Sequence, residues 1–256
     1  DGGRRIQFDE APKTGVYSYD NSENWLSLTD GLYYIVPENK GFGYLTISTS
    51  EKGTINEGSN SIRNYAEDTA GNLWIATGNG LARWKRSNDE IKIYLPKPGR
   101  KDYLNFASVR GVVATGNKLI VAQSQGGVFL LDPGKEIFGE LAYPHGADGD
   151  SVKKWLLSDF ISGIFTLENG NFMVAGSQRI FYINKKDNLV SPVLFKGKEK
   201  IQYTRIIYED RQRRLWFLGG PGITVTDGNF RILHRISDPK LNGIYTNSIT
   251  QVADTS

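Results

Sequence analysis

The chain has 256 residues and no cysteine, which excludes disulfides, thiolate metal sites and a cysteine nucleophile. Its 31 basic and 28 acidic side chains leave a net charge of +3, with no basic run long enough for a nucleic-acid footprint. No apolar stretch approaches the roughly 18 residues of a membrane helix, so this segment is expected to make no membrane contact.

In chain order the sequence repeats itself. Arg4 to Phe8 reads as an outer strand. Five full units follow, at about residues 15–50, 61–96, 107–143, 160–196 and 203–236, and a sixth begins at Asn247. Each unit reads as strand, turn, apolar anchor strand, hairpin, third strand, edge strand. The anchor strands are Asn24–Leu28, Leu73–Thr77, Leu119–Gln123, Phe172–Gly176 and Leu215–Gly219. Their aligned position is Trp25, Trp74, Ile120, Met173 and Trp216, at successive spacings of 49, 46, 53 and 43 residues. That period suits a four-stranded blade. Turn signals such as Gly78-Asn-Gly80 and Thr29-Asp-Gly31 follow the anchors and supply positive φ for tight hairpins. Leu189 to Leu194, interrupted by Pro192, reads as an edge strand. The best helical stretch lies near Ser151 to Ser158. The fold class is therefore all-β: a β-propeller of four-stranded antiparallel blades in one domain over residues 1–256, with five complete blades and partial blades at both ends. The partial ends predict a piece of a seven-bladed propeller.

The aromatic anchors Trp25, Trp74 and Trp216 are expected to pack between blades. Asp68 and Asp210 fall at inner turns, where an Asp side chain bonds backbone amides. Aligning the innermost strands puts Arg63, Arg110 and Arg205 at one equivalent site, with Ser162 and Thr250 there in other copies. The middle copy needs an inner turn one residue shorter for this. Innermost strands line a propeller's channel, so three guanidiniums at its mouth would suit a carboxylate or sulfate. The hairpin residues Asn79, Gln123, Gln125, Gln178 and Arg179 are expected on the same face, where they would bond sugar hydroxyls. Ordinary ion pairing with neighbouring acids is the plainer reading of the arginines. Trp155 is expected to cover a blade edge, with a partner interface as the alternative. His145 and His234 stand alone as surface residues. No catalytic residue, metal site or cofactor is expected. The enzymatic alternative casts Tyr17 or Tyr203 as the base of a polysaccharide lyase beside the arginines.

The segment Ala66 to Trp84 resembles the repeat of two-component-regulator propellers, whose consensus runs Asp-x-x-Gly-x-Leu-Trp-Ile-Gly-Thr, then a short turn and Gly-Leu. Tyr208 to Trp216 keeps the Asp-to-Trp spacing, but Arg213 replaces Gly71 at the inner turn. His145 to Ser151 is similar to the inter-blade connection of that family. The resemblance implies an extracytoplasmic sensor segment of a bacterial hybrid two-component receptor, on the periplasmic or extracellular side. It also implies a homodimer in the intact receptor and an oligosaccharide ligand, acidic if the arginines bind it. A cell-surface or secretion-associated scaffold is the alternative within the same resemblance.

Overall fold

The computed structural model describes residues 62–237, apart from 86, 89, 98, 101–102, 197–200, 202 and 220–221, together with Ile249 and four earlier strands as backbone. Arg4 to Phe8, Tyr17, Thr250 and the rest of the unit beginning at Asn247 lie outside the described residues, Ile249 excepted.

Five four-stranded antiparallel sheets are present, each running in sequence order. Blade 1 is β1 (Ser18–Asp20), β2 (Trp25–Ser27), β3 (Leu32–Val36) and β4 (Gly41–Leu45). Blade 2 is β5 (Ile62–Glu67), β6 (Leu73–Thr77), β7 (Gly80–Lys85) and β8 (Glu90–Tyr94). Blade 3 is β9 (Val109–Thr115), β10 (Lys118–Gln123), β11 (Val128–Asp132) and β12 (Ile137–Gly139). Helix α1 (Ala147–Ser158) leads to blade 4: β13 (Ile161–Thr166), β14 (Phe172–Gly176), β15 (Ile180–Ile183) and β16 (Val190–Pro192). Blade 5 is β17 (Thr204–Glu209), β18 (Leu215–Gly219), β19 (Gly222–Thr226) and β20 (Ile232–Ile236). These are the blades of a β-propeller.

Every residue of β6 and of β14 is buried, because each second strand is covered on both faces. Alternation then sends side chains to opposite neighbours. Leu73 and Ile75 pack with Ile62 and Ala82 on one face of blade 2. Trp74 and Ala76 face the other way, against Val112, Val121 and Phe138 of blade 3. Ile120 likewise joins the core between blades 3 and 4, and Met173 the core between blades 4 and 5. The anchor position thus keeps one role whatever residue fills it. Ile120 is smaller than Trp74, and the core it joins gains Val152 and Leu156 from α1, with Trp155 packed against them. That helix begins four residues earlier than the sequence suggests, and Asp148 and Asp150 in its first turn complement its dipole.

The inner strands of consecutive blades lie against one another. Val112 N–H donates to Asn64 Oδ1 across blades 2 and 3, at 2.7 Å. A Cβ on Gly111 would meet Ile164 Cγ2 of blade 4 at 2.7 Å, so only glycine permits this approach.

The inner turns of blades 2 and 5 share one device. Asp68 Oδ1 accepts from the N–H groups of Ala70 and Asn72, both at 2.9 Å, and Oδ2 accepts from the Trp74 indole at 2.8 Å. Asp210 repeats this with Gln212, Arg214 and the Trp216 indole. Arg213 takes φ 63°, beside 77° at Gly71, and its N–H returns to Asp210 O just as Gly71 N–H returns to Asp68 O. The substitution leaves the turn unchanged.

Candidate functional site

The inner strands β5, β9, β13 and β17 all start at the face that carries the hairpins between second and third strands. Each starts with a slip in register. Pairing jumps between Ile62 and Asn64, between Val109 and Gly111, between Ile161 and Gly163, and between Thr204 and Ile206. The residues left over are Arg63, Arg110, Ser162 and Arg205. All four blades therefore carry a β-bulge at the aligned site, and the blade 3 turn is one residue shorter, as the sequence alignment requires. The bulge has a local use. Ile62, Val109, Ile161 and Thr204 stay buried, and the next residue is turned out of the pleat instead of into the opposite core. Arg63 and Arg110 are half-buried, Arg205 exposed.

The three arginines thus share a register on one face. Arg63 and Arg110 lie on adjacent blades, and Ser162 separates Arg110 from Arg205. Exposed aromatics lie just upstream of three of these strands: Phe106 at 40% exposure, Phe160 at 41% and Tyr203 at 57%. The Arg110 guanidinium lies 5.1 Å from the Phe160 ring centre. Helix α1 reaches the same face, where Arg179 lies 4.7 Å from the Trp155 ring centre. A face with guanidiniums and open aromatic rings offers two contacts at once: bidentate bonding of an oxyanion and stacking on an apolar sugar face.

The hairpin residues divide. Gln125 and Gln178 are exposed there, and Asn79 and Arg179 half-buried. Gln123 is a correction to the sequence reading. Its side chain is wholly buried, its amide donates to Phe106 O, and its Oε1 accepts from Asn105 N–H at 3.4 Å. It fastens the chain leading into blade 3 and presents nothing to a ligand. Asp159, which the sequence reading passed over, has a similar job. Buried at the end of α1, it accepts from Ser177 Oγ at 2.7 Å and from the N–H groups of Phe160, Gln178 and Arg179. It fixes the blade 4 hairpin and with it the base of Arg179. His145 and His234 are exposed. Trp74 is fully buried and Trp216 half-buried; β2 opens at Trp25. Among the described residues no group of three or more His, Cys, Asp or Glu side chains is placed to hold a metal ion. Among them, too, no helix is long and apolar enough to cross a membrane.

Residues 56–79 match the family model described as the two component regulator propeller. The chain carries a two component regulator propeller repeat. The match spans β5 and β6, with the bulged Arg63, the Asp68 turn and the Trp74 anchor inside it. No curated protein matches the chain significantly. Many solved chains do. One is the extracellular domain of BT4673 from B. thetaiotaomicron, described as a one component system: 19% identity, TM-score 0.60, covering 88% of this chain and 31% of that one. A second is the extracellular domain of BT3049 from the same organism, described as a hybrid two component system, at 16% identity, TM-score 0.54 and coverages of 91% and 36%. A third is PorZ, a surface component of the type-IX secretion system of Porphyromonas gingivalis, at 13% identity, TM-score 0.52 and coverages of 84% and 27%. These likenesses show the propeller fold. The chain spans about a third of the length of these structures.

Proposed function

We propose that this propeller is the extracytoplasmic ligand-sensing segment of a bacterial receptor of the hybrid two-component type, periplasmic or cell-surface, and non-catalytic itself. Its ligand is an oligosaccharide bearing carboxylate or sulfate, taken at the face of Arg63, Arg110 and Arg205. The observation that carries the reading is the repeated bulge, which turns an arginine outward in three blades at one register. The exposed rings of Phe106, Phe160 and Tyr203 on that face supply the stacking a sugar needs. The family repeat and the receptor ectodomains among the similar structures support the sensor role. Signalling follows if ligand binding biases a homodimer of the intact receptor between two arrangements.

A thermal-shift panel of neutral and acidic oligosaccharides on the full chain tests this, with Arg63→Ala/Arg110→Ala/Arg205→Ala alongside. An acidic glycan should raise the melting temperature of the parent and not of the variant. Equal shifts in both would remove the ligand from this face. The second reading is a surface scaffold, favoured by the likeness to PorZ. It requires that no glycan shift the parent and that a protein partner do so.

A further inference from the structure

The opposite face holds a cleft of different chemistry. The inner turns and the third-to-fourth-strand turns all lie there. The blade 3 turn at Gly116–Asn117 and two blade 4 turns, one around Gly170 and one at Asn184 to Asn188, border an open groove of about 650 Å³. Its lining is three lysines, Lys118, Lys185 and Lys186, with asparagines, threonine and glycine. Among the described residues no acidic side chain lines it. The nearby Asp187 carboxylate turns back to Leu189 N–H, at 3.1 Å.

The asparagines are not neutral in what they offer. Asn171 Oδ1 accepts from Lys185 N–H at 2.9 Å, and Asn184 Oδ1 from Lys186 N–H at 2.8 Å. Asn188 Oδ1 accepts from Thr115 Oγ1 at 3.3 Å and ties blade 4 to blade 3. The carbonyls of Asn171 and Asn184 are thus engaged by backbone N–H groups, and those two bonds fix which end of each amide is the carbonyl. The Nδ2 groups of Asn171 and Asn184 and the three ammonium groups are donors without acceptor capacity. A neutral sugar forgoes the charge-assisted bonds that the three ammonium groups offer. An oxyanion, which only accepts, matches it well. The volume lies within the range of small-molecule sites, about 300–1,000 Å³, and far exceeds one oxyanion.

We propose that this cleft is a second binding site, for an anionic sugar of one or two residues carrying sulfate or carboxylate. It is separate from the arginine face and does not depend on the sensor reading.

Isothermal titration calorimetry on the full chain at low salt tests it, with a sulfated disaccharide, a uronate disaccharide, the neutral disaccharide of the same length and inorganic sulfate as probes. At least one charged disaccharide should bind about tenfold or more tightly than the neutral one, and more weakly as salt rises. Lys118→Ala/Lys185→Ala/Lys186→Ala should abolish that binding with an unchanged melting temperature. Asn184→Asp keeps the acceptor for Lys186 N–H while replacing the outward donor by a charged acceptor, and should weaken binding about tenfold or more. Arg63→Ala/Arg110→Ala/Arg205→Ala should leave it intact. Equal binding of the neutral disaccharide, or no binding by any disaccharide, overturns the proposal. So does charged binding that survives the lysine variant or is lost only in the arginine variant. Inorganic sulfate binding as tightly as the sulfated disaccharide overturns the sugar assignment.

Discussion

Blades 2 and 5 close their inner turns in the same way and are covered differently. In both, one aspartate accepts from two turn amides and from the indole of a tryptophan six residues on. Trp74 then disappears between blades 2 and 3, in contact distance of Tyr94, whose ring centre lies 5.4 Å away. Trp216 keeps the same indole bond yet stays half-buried, and β20, at the outer edge of the same blade, is largely exposed. The turn is therefore set by residues close in sequence, whereas the burial of the anchor depends on partners far from it, as Val112, Val121 and Phe138 are for Trp74.

The largest effect should come from truncating the anchors. Trp74→Ala should cost about 3–5 kcal/mol, the range for emptying a buried aromatic site, and Trp216→Ala roughly half that. Urea unfolding followed by far-ultraviolet dichroism checks the ratio. Equal losses would mean that the indole bond, common to both, outweighs packing.

Removing the aspartates probes the shared part. Asp68→Ala and Asp210→Ala should each cost about 1–3 kcal/mol, since the turn amides and an indole lose their acceptor. Asp210 should cost more, because it is buried and its loss also strands the Arg214 guanidinium now bonded to it at 2.7 Å. Burial pushes both carboxyls up, but the hydrogen bonds from Trp74 and Asn72, or from Trp216 and Arg214, outweigh it and hold them below the usual 3.8. A folded-state value below the unfolded one gives stability that is complete above the unfolded value and is lost as pH falls through the folded one. The parent should thus lose stability as pH drops below 3.8, toward those lowered values. Asp68→Asn/Asp210→Asn should show a flatter profile there, measured as denaturation midpoint against pH. An unchanged slope would place the acid sensitivity elsewhere.

Much of this was legible because a repeat reports on itself. The spacing of the anchors marks the blades, and the Asp-to-Trp spacing marks the clamp. What needed the fold was pairing register. Alignment puts Arg63, Arg110, Ser162 and Arg205 at one site, but nothing local says that the site is a bulge. Gln123 reads as a hairpin residue because it ends an apolar strand next to Ser124 and Gly126; only the loop from Tyr103 to Ala107, folded over it, buries it. Asp159 acts on residues 18 to 20 positions later, a link with no local pattern. Phe230 reads as the start of an outer strand. It instead takes φ 60° in a turn closed by the Asp227 carboxylate, which accepts from Asn229 and Arg231, and the strand begins at Ile232. The donors of Asn184 to Asn188 converge only where blade 3 meets that turn, and nothing local in the sequence marks it.

The smallest effect separates the two turns at their one difference. A Cβ on Gly71 would have only Glu67 Oε1 near it, at 3.6 Å, so space is not at issue. Gly71→Ala should therefore register the conformational cost alone, about 1 kcal/mol for a side chain in the left-handed region. The reverse exchange, Arg213→Gly, relieves that cost but frees the unfolded chain and removes the Arg213–Glu209 ion pair, 3.0 Å long with the arginine well exposed. An exposed pair is worth about 0–1 kcal/mol, so Arg213→Gly should gain under about 0.5 kcal/mol. The two denaturation midpoints should move in opposite directions and unequally. If Arg213→Gly instead destabilises by as much as Gly71→Ala, the blade 5 turn is held by its ion pair, and the likeness of the two turns ends at the aspartate.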